Sequence, residues 1–398
     1  MKDIKSQFPI FQKHPDLVYL DSAASTQTPQ EVLDAMDDYY TKYRANIHRG
    51  LYDLSVSATE KYEQARQKVA HFIGAEKNEI IFTSGTTHGL NVLARGLCKN
   101  LKAGDNIVLT RYEHHANLVP WQEYTREKGI ELRFIEIKDF ELDLDSAKNL
   151  IDKNTKIVSF GLVSNTLGTI ALAKKILALA KGVGATTVID AAQAVAHMPL
   201  DVKELDCDFL VFSGYKMYGP TGIGVLYGKK ERLETLEPFF YGGDMIREVT
   251  YEKASWADIP ESFEGGTPNI AGAIGLGAAV DFIESIGFDA IQAHEQELTK
   301  FAIEQLSQID GLHIIGTKNI QNRIGVVSFT LDNVHPHDVA EVLNRDHVCI
   351  RAGHHCTMPL MKYLNVAGTS RASIGIYTTK EDIKKFVESI KKVKEIFV

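Results

Sequence analysis

The stretch "CDFLVFSGYKMYGPTGIGVLY", residues 207–227, has two apolar, β-rich runs separated by one lysine and several glycines. A Walker phosphate-binding loop would need Gly-x4-Gly followed directly by Lys and Ser or Thr. Gly219 and Gly224 have that spacing, but Val225 follows them and Lys216 precedes them. The stretch therefore predicts two buried strands and a connection that places Lys216 at a strand end for another purpose.

Outward from this stretch, apolar runs alternate with helical patterns. The seven runs are "EIIFTS" (79–84), "DNIVLT" (105–110), "ELRFIEI" (131–137), "KIVSFGLVS" (156–164), "TTVIDAA" (186–192), "DFLVFSG" (208–214) and "GIGVLYG" (222–228). Strands that are apolar on both faces and separated by helices are typical of a doubly wound α/β fold. We expect a mostly parallel, seven-stranded sheet.

The last third of the chain changes character, because long helical patterns there surround only a few strand patterns. It predicts a smaller α+β domain formed by residues 1–20 and 281–398, beside a large domain formed by residues 21–280. The glycine-rich helix that begins at Ala271 contains no obvious stop signal near that boundary.

Composition excludes several classes of protein. The 398 residues are 44% hydrophobic and 24% charged, with a net charge of -8, which gives no electrostatic reason to expect nucleic-acid or membrane binding. No apolar run is long enough to span a bilayer, and the first residues lack the apolar core of a signal peptide. Four cysteines make no disulfide framework, so we expect the reducing cytoplasm.

Polar groups follow several of the predicted strands. They are Ser84–Thr87, Glu113–His115, Asn165, Asp190–Gln193 and Ser213–Lys216. Ligands of open α/β sheets bind outside the carboxyl ends of the strands. These groups together predict a pocket at that edge of the sheet.

Each group has a chemical interpretation and a structural alternative. Thr86 and Thr87 open a helix and suit a phosphate, although Ser and Thr also cap helices routinely. A buried Asp190 suits a protonated ring nitrogen, or else a structural salt bridge. A desolvated Lys216 could form a Schiff base with an aldehyde, whereas most lysines lie on the surface. Arg371 suits a substrate carboxylate or a surface salt bridge.

Cys356 lies in "CIRAGHHCTMPLM", where two histidines and Arg351 favour a thiolate. A zinc site formed by Cys349, His354, His355 and Cys356 is a weaker alternative, because adjacent residues rarely bind one ion. Cys98 and Cys207 are interpreted as packing cysteines.

Several motifs in one order resemble a known family. They are "YLDSAAS", "NIHRGLYDLS", "EHHANLVPWQ", "VSNTLGT", "DAAQAVAHMPLDV", "CDFLVFSGYKMYGPTGIGVLY", "FEGGTPN", "RAGHHCTMPLM" and "SRASIGIYTT". The chain resembles the pyridoxal 5'-phosphate (PLP) enzymes of the class V aminotransferase group, fold type I. Within that group it is most similar to the Suf-type (group II) cysteine desulfurases, over nearly its whole length.

The resemblance implies a role for each matching residue. Lys216 is the Schiff-base lysine, His114 stacks on the cofactor ring, and Asp190 pairs with the pyridine nitrogen. The remaining cofactor contacts are Gln193 on the phenolic oxygen, Thr86, Thr87, Ser213 and Tyr215 on the phosphate, and Thr267 from the other subunit of a homodimer. The substrate contacts are Asn165, Arg351 and Arg371, with His48 and Arg49 at the dimer interface. Cys356 accepts the sulfur.

The implied reaction converts L-cysteine to L-alanine and leaves a persulfide on Cys356. The implied partners are a SufE-like or SufU-like sulfur acceptor and the iron–sulfur scaffold machinery. Selenocysteine lyase, a kynureninase-like hydrolase, an aminotransferase and a non-catalytic scaffold are the alternatives, and Cys356 discriminates against the hydrolase and the aminotransferase. Two positions depart from the family pattern: Tyr215 stands where histidine is usual, and His88 where glutamate is usual.

Overall fold

The computed structural model of the protein describes residues 4–397, so residues 1–3 and 398 of the predicted small domain lie outside it. The α-helices are α1 (Pro9–Lys13), α2 (Gln30–Lys42), α3 (Asp53–Phe72), α4 (Thr86–Cys98), α5 (Val119–Thr125), α6 (Leu144–Leu150), α7 (Ala173–Gly182), α8 (Val202–Leu205), α9 (Lys230–Leu233), α10 (Ile270–Ile286), α11 (Phe288–Leu306), α12 (Pro336–Arg345), α13 (Met358–Tyr363) and α14 (Lys380–Phe397). The strands are β1 (Val18–Tyr19), β2 (Ile80–Thr83), β3 (Asn106–Thr110), β4 (Glu131–Ile135), β5 (Ile137–Lys138), β6 (Glu141–Leu142), β7 (Thr155–Gly161), β8 (Thr186–Asp190), β9 (Phe209–Ser213), β10 (Gly224–Gly228), β11 (Ile246–Val249), β12 (Ala254–Trp256), β13 (Leu312–Ile315), β14 (Val326–Leu331), β15 (Val348–Cys349), β16 (Arg351–Gly353) and β17 (Thr369–Ser373).

The central sheet has seven strands in the order β2-β10-β9-β8-β7-β3-β4. Only β10 is antiparallel to its neighbours, which confirms the predicted mostly parallel, seven-stranded sheet. In β9, Leu210 and Phe212 pack into one apolar cluster, whereas Phe209 and Val211 pack into another. Because alternate strand residues point to opposite faces, both faces of the sheet are covered.

Each of the seven predicted strands extends at least one residue beyond the observed strand, and two of these differences have a clear physical cause. The run 131–137 leaves the sheet after Ile135, because Glu136 turns outward to pair with Arg111 and the chain then forms the β5–β6 hairpin. The run 222–228 begins as a strand only at Gly224, since Gly222 has a φ of 73° and cannot continue an extended strand.

The C-terminal part contains a four-stranded antiparallel sheet in the order β13-β14-β17-β16, and β15 pairs with β1 from near the N-terminus. Leu298, Phe329 and Phe386 belong to its own apolar cluster, separate from those of the central sheet. Helix α10 runs through residue 280 and ends at Gly287, whose φ of 81° supplies the stop that the sequence did not reveal. The division at residue 280 therefore stays a prediction.

Within residues 4–397, no single helix is long and apolar enough to cross a membrane, although α10 and α11, bent by 76°, pass the test of length and composition as a pair.

Candidate active site

The carboxyl ends of the central strands surround a cavity of about 290 Å³. Its lining is Tyr112, Glu113, His114, Gly161, Val163, Asn165, Asp190, Ala192, Gln193 and Lys216. The sequence predicted a pocket at this edge, and the structure brings five of its predicted site residues to one cavity: His114, Asn165, Asp190, Gln193 and Lys216.

Lys216 lies in a short 3-10 turn directly after β9, and Asp190 is the last residue of the neighbouring β8. Lys216 keeps some surface open to the cavity, but protein surrounds its ammonium group, and this desolvation lowers the pKa of Lys216 while the charge of Asp190 acts in the opposite direction. Burial likewise raises the pKa of Asp190, which Lys216 and the Ala192 N–H counteract. The amine is thus prepared to act as a nucleophile or a base.

His114 is held as a neutral imidazole in one tautomer. Burial, followed by the charge of Lys216, lowers the pKa of His114 to about 3. Its Nδ1 accepts the Ala116 N–H at 3.0 Å, so the proton of the neutral ring is on Nε2. A neutral ring with a fixed N–H is suited to stacking on a planar ligand and to donating a hydrogen bond. It is not suited to neutralising a negative charge on that ligand.

Gln193 and Glu113 complete the cavity wall. The side-chain amide of Gln193 donates to the Ala23 carbonyl at 2.7 Å, which ties the wall to the chain just after β1. Glu113 accepts hydrogen bonds from the Asn117 side chain and the Gly161 N–H. Burial raises the pKa of Glu113 to about 8, and the hydrogen bonds from Thr110, Asn117 and Gly161 counteract this effect.

The N-terminus of α4 provides an anion-binding cradle beside the cavity. Its N-cap is Gly85, which has no side chain, so the interpretation of this segment as an ordinary Ser or Thr cap is wrong. The Thr86 N–H donates to Ser213 Oγ at 2.8 Å, and Thr87 is exposed one residue further along. Free N–H groups at a helix start attract phosphate.

One glycine after Lys216, Gly224, is required beside this cradle. A Cβ added at Gly224 would lie 2.5 Å from Gly85 Cα, so only glycine lets β10 pass that close. Tyr215 is half-buried beside Ser213, and burial raises the pKa of its phenol, which stays protonated and able to donate.

The two predicted substrate arginines lie opposite each other on adjacent strands, Arg351 on β16 and Arg371 on β17. Asp21 lies between them: its Oδ1 accepts from Arg371 at 3.0 Å, and its Oδ2 lies 4.0 Å from Arg351. Arg371 is 1% exposed, so the surface salt-bridge alternative is wrong for it. Arg371 also donates to the Asn165 carbonyl, and its buried Nε–H has no partner within residues 4–397. That free donor suits a carboxylate ligand.

Cys356 is half-buried in the loop between β16 and α13. Asn165, predicted to contact substrate, uses its side-chain amide to hold this loop by donating to the His355 carbonyl at 2.8 Å. Among the described residues no group of three or more His, Cys, Asp or Glu is arranged to hold a metal ion. Burial raises the pKa values of Cys98 and Cys207 to about 12, as expected for packing cysteines.

Three other predicted residues make their contacts with residues that do not line the cavity. His48 pairs with Glu63 at 3.3 Å, and Arg49 pairs with Asp244 at 3.4 Å. Thr267 is exposed and lines a different cavity. The resemblance assigned all three to a site shared between subunits, and within one chain they do not meet Lys216.

Sequence reasoning missed several residues of the site. Asp21 was quoted in "YLDSAAS" without a role, although an acid after a short strand was a usable signal. His115 contacts the Cys356 loop through both its backbone and its ring, and nothing in the sequence separated it from His114.

Comparisons with known proteins agree with this geometry. The aminotransferase class-V family model matches residues 18–386. A protein named "Probable cysteine desulfurase" from Halalkalibacterium halodurans is 48% identical over 99% of this chain and 98% of its own length. The structure of an apo cysteine desulfurase from Thermococcus onnurineus superposes with a TM-score of 0.96 at 44% identity, covering 99% of this chain and 98% of that one. The cysteine desulfurase CsdA of Escherichia coli gives a TM-score of 0.92 at 35% identity, with the same coverage of the two chains.

Proposed function

The chain belongs to the cysteine desulfurases of the class V aminotransferase family, and from that membership we propose that it binds PLP, converts L-cysteine to L-alanine and receives the sulfur as a persulfide on Cys356. One observation carries the proposal: Asn165, which lines the cavity together with Lys216, binds the loop of Cys356 through the His355 carbonyl and accepts a hydrogen bond from the buried guanidinium of Arg371. A site of this kind can hold an aldehyde, a carboxylate and a sulfur atom together.

The residues present fit PLP. Lys216 offers an amine of lowered pKa for the aldehyde, and Asp190 offers a buried carboxylate for the ring nitrogen. The first turn of α4, which follows the N-cap Gly85, offers N–H donors for the phosphate. Ser213 and Tyr215 beside it offer hydroxyl donors. When bound, PLP supplies an electron sink that stabilises negative charge at the substrate Cα.

The protein's own groups would then act in sequence. Arg371 orients the substrate through its carboxylate, using the Nε–H that has no partner in the described chain. Lys216 Nζ, whose pKa is lowered by burial, would take the Cα proton and later return it. Cys356 Sγ attacks the substrate sulfur, so an S–S bond forms while the substrate C–S bond breaks and its electron pair passes to the substrate carbon.

We place the enzyme in the Suf-type group because "RAGHHCTMPLM" makes a short connection from β16 through Cys356 to α13. The persulfide would pass to a SufE-like or SufU-like acceptor and on to iron–sulfur cluster assembly. Met358, 56% exposed and two residues from Cys356, offers such an acceptor an apolar contact.

A homodimer is also part of the proposal. Leu51, Tyr52 and Tyr251 are large apolar residues that are strongly exposed in the single chain. Leu51 and Tyr52 come just after His48 and Arg49 in the sequence, and Tyr251 precedes Thr267. The resemblance assigns His48, Arg49 and Thr267 to the subunit interface. Sedimentation should give twice the chain mass of 44.3 kDa, and a monomer would contradict this part of the proposal.

The cofactor assignment is tested with Lys216→Ala and, as a control, the exposed Lys68→Ala. The wild type and the control should retain the visible absorbance of lysine-bound PLP and form alanine from L-cysteine. Lys216→Ala should lose both. Normal absorbance and activity in Lys216→Ala would show that another group holds the cofactor.

A further inference from the structure

The segment that carries Cys356, residues 354–358, is termed here the acceptor turn, and its backbone is unfavourable for L-amino acids. His355 has a φ of 51° and Cys356 a φ of 58°, so two successive side-chain-bearing residues are left-handed. Such a conformation persists only where surrounding contacts hold it, and it is a recurrent feature of functional sites.

Hydrogen bonds from the central-sheet side hold the acceptor turn. The His115 N–H donates to the Cys356 carbonyl at 2.8 Å, and the Met358 N–H donates to His115 Nε2 at 3.0 Å. Asn165 holds the His355 carbonyl, and the hydroxyls of Thr166 and Thr357 pair at 3.0 Å. The turn is therefore tied at each residue from His355 to Met358.

His115 differs from the other residues that hold the acceptor turn because it binds the turn at two points, Cys356 and Met358. Its backbone holds Cys356 itself, while its ring holds the start of α13 two residues later. The ring must carry no proton on Nε2 to accept this bond. Burial, followed by the charge of His354, lowers the pKa of His115, which keeps the ring neutral at physiological pH.

We propose that His115 is a positioning residue, whose ring keeps the acceptor turn closed so that Cys356 faces Lys216 and Arg371. Loss of the bond to Met358 shifts the turn toward an open form in which Cys356 is exposed. This inference rests on the proposed role of Cys356 as the sulfur acceptor. It adds the residue that controls where that thiol lies.

The test measures the rate at which iodoacetamide alkylates Cys356 in the PLP-loaded enzyme, read from the Cys356 peptide by mass spectrometry. Cys98 and Cys207 are buried and should react slowly. Cys349 is half-buried, and its alkylation rate serves as an internal reference for that of Cys356. The variants are His115→Leu, which has no acceptor, and His115→Gln, whose amide oxygen replaces Nε2. His71→Leu, an exposed histidine of α3, is the matched control.

We expect His115→Leu to raise the Cys356 alkylation rate by about two- to tenfold, the range for loss of one net hydrogen bond. The kcat for alanine should fall by a smaller factor, because a closed form that predominates loses only the fraction that opens. KM should be unchanged, since the substrate contacts remain. His115→Gln should return both quantities to within about twofold of the wild type, and His71→Leu should change neither.

Equal alkylation rates in the wild type and His115→Leu would overturn the inference, and so would a Gln variant that behaves like the Leu variant. If His115→Leu does not fold, Thr357→Val removes a neighbouring tie of the same turn, and an unchanged alkylation rate there would also contradict it. Alkylation does not depend on turnover, so failure of the desulfurase proposal would appear separately, as alanine formation that persists without Cys356.

Discussion

At Lys216, burial and the Asp190 carboxylate act in opposite directions on the pKa of the amine. Burial is the larger effect, so the pKa of Lys216 is lowered. In Asp190→Asn the attraction that favours the charged amine is removed while burial stays. We therefore expect the pKa of Lys216 to fall further, measured as the pH dependence of Lys216 acylation in cofactor-free protein. An unchanged or higher pKa would show that Asp190 does not act on Lys216.

Arg371 should be the main determinant of substrate affinity. Its planar fork is held by the Asn165 carbonyl and by Asp21, which leaves the Nε–H for a ligand. Lysine keeps the charge but cannot reproduce this geometry. For Arg371→Lys we expect KM for L-cysteine to rise about tenfold or more, equivalent to about 1.4 kcal/mol. Steady-state kinetics with KM unchanged would exclude a carboxylate contact at Arg371.

Sequence reasoning at this scale succeeded where a chemically distinctive side chain follows a recognisable strand, as at Lys216, Asp190 and His114. It failed at Asp21, whose role depends on Arg371, a partner 350 positions away. Neither residue alone shows that a carboxylate will separate two arginines paired across β16 and β17. Only the register of those strands brings the three charges together.

Among the elements, the loop that carries Thr267 is anchored by a buried ion pair. Arg66 of α3 donates twice to Glu264, at 2.7 and 2.9 Å, and the Tyr62 hydroxyl and Phe82 N–H also donate to that carboxylate. Arg66 is 1% exposed. Removing one partner of such a pair leaves a buried charge uncompensated.

Arg66 keeps a second partner in Glu63 at 3.3 Å, so its charge is only partly uncompensated without Glu264. Glu264→Gln should therefore lower the free energy of unfolding by about 3 kcal/mol, the lower end of the range for breaking a buried pair. Lys68→Ala, which breaks an exposed ion pair between α3 and α10, should change it by at most about 1 kcal/mol. Urea denaturation compares the two variants directly. Similar small losses in both would mean that the Arg66–Glu264 pair does not anchor the loop.

The order and type of elements followed from sequence periodicity, but several boundaries did not. The strand near residue 135 ends where Glu136 meets Arg111, and that contact depends on tertiary packing. Helix α11 begins at Phe288, directly after α10, because Gly287 ends α10 and allows a new helix to start at once. A glycine inside an already glycine-rich helix gave no distinct signal.

For the whole molecule, buried histidines should make stability depend on pH. The pKa values of His114 and His355 are lowered to about 3 by burial, from an ordinary value of 6.5. Below pH 6.5 these histidines bind protons in the unfolded chain but stay neutral in the native state. The free energy of unfolding therefore falls as the pH falls toward about 3. Glu113 acts oppositely, because its raised pKa makes the native state bind a proton up to about pH 8.

The histidine contribution is measurable with His355→Gln, which cannot titrate. Between pH 6 and 4, the slope of unfolding free energy against pH should be shallower in the variant by up to about 1.4 kcal/mol per pH unit. Chemical denaturation at several pH values gives both slopes. Parallel slopes would mean that His355 is protonated equally in the native and unfolded states.

The central claim is that Cys356 takes sulfur from L-cysteine at the site built around Lys216. The most direct measurement incubates PLP-loaded wild type and Cys356→Ser with L-cysteine in two parallel reactions. Alanine is quantified with reductant present, and persulfide on each cysteine peptide is quantified without reductant, which would otherwise cleave it. We expect alanine and a Cys356 persulfide in the wild type, and neither in the variant. Alanine formed equally by both proteins, or persulfide on another cysteine, would contradict the account.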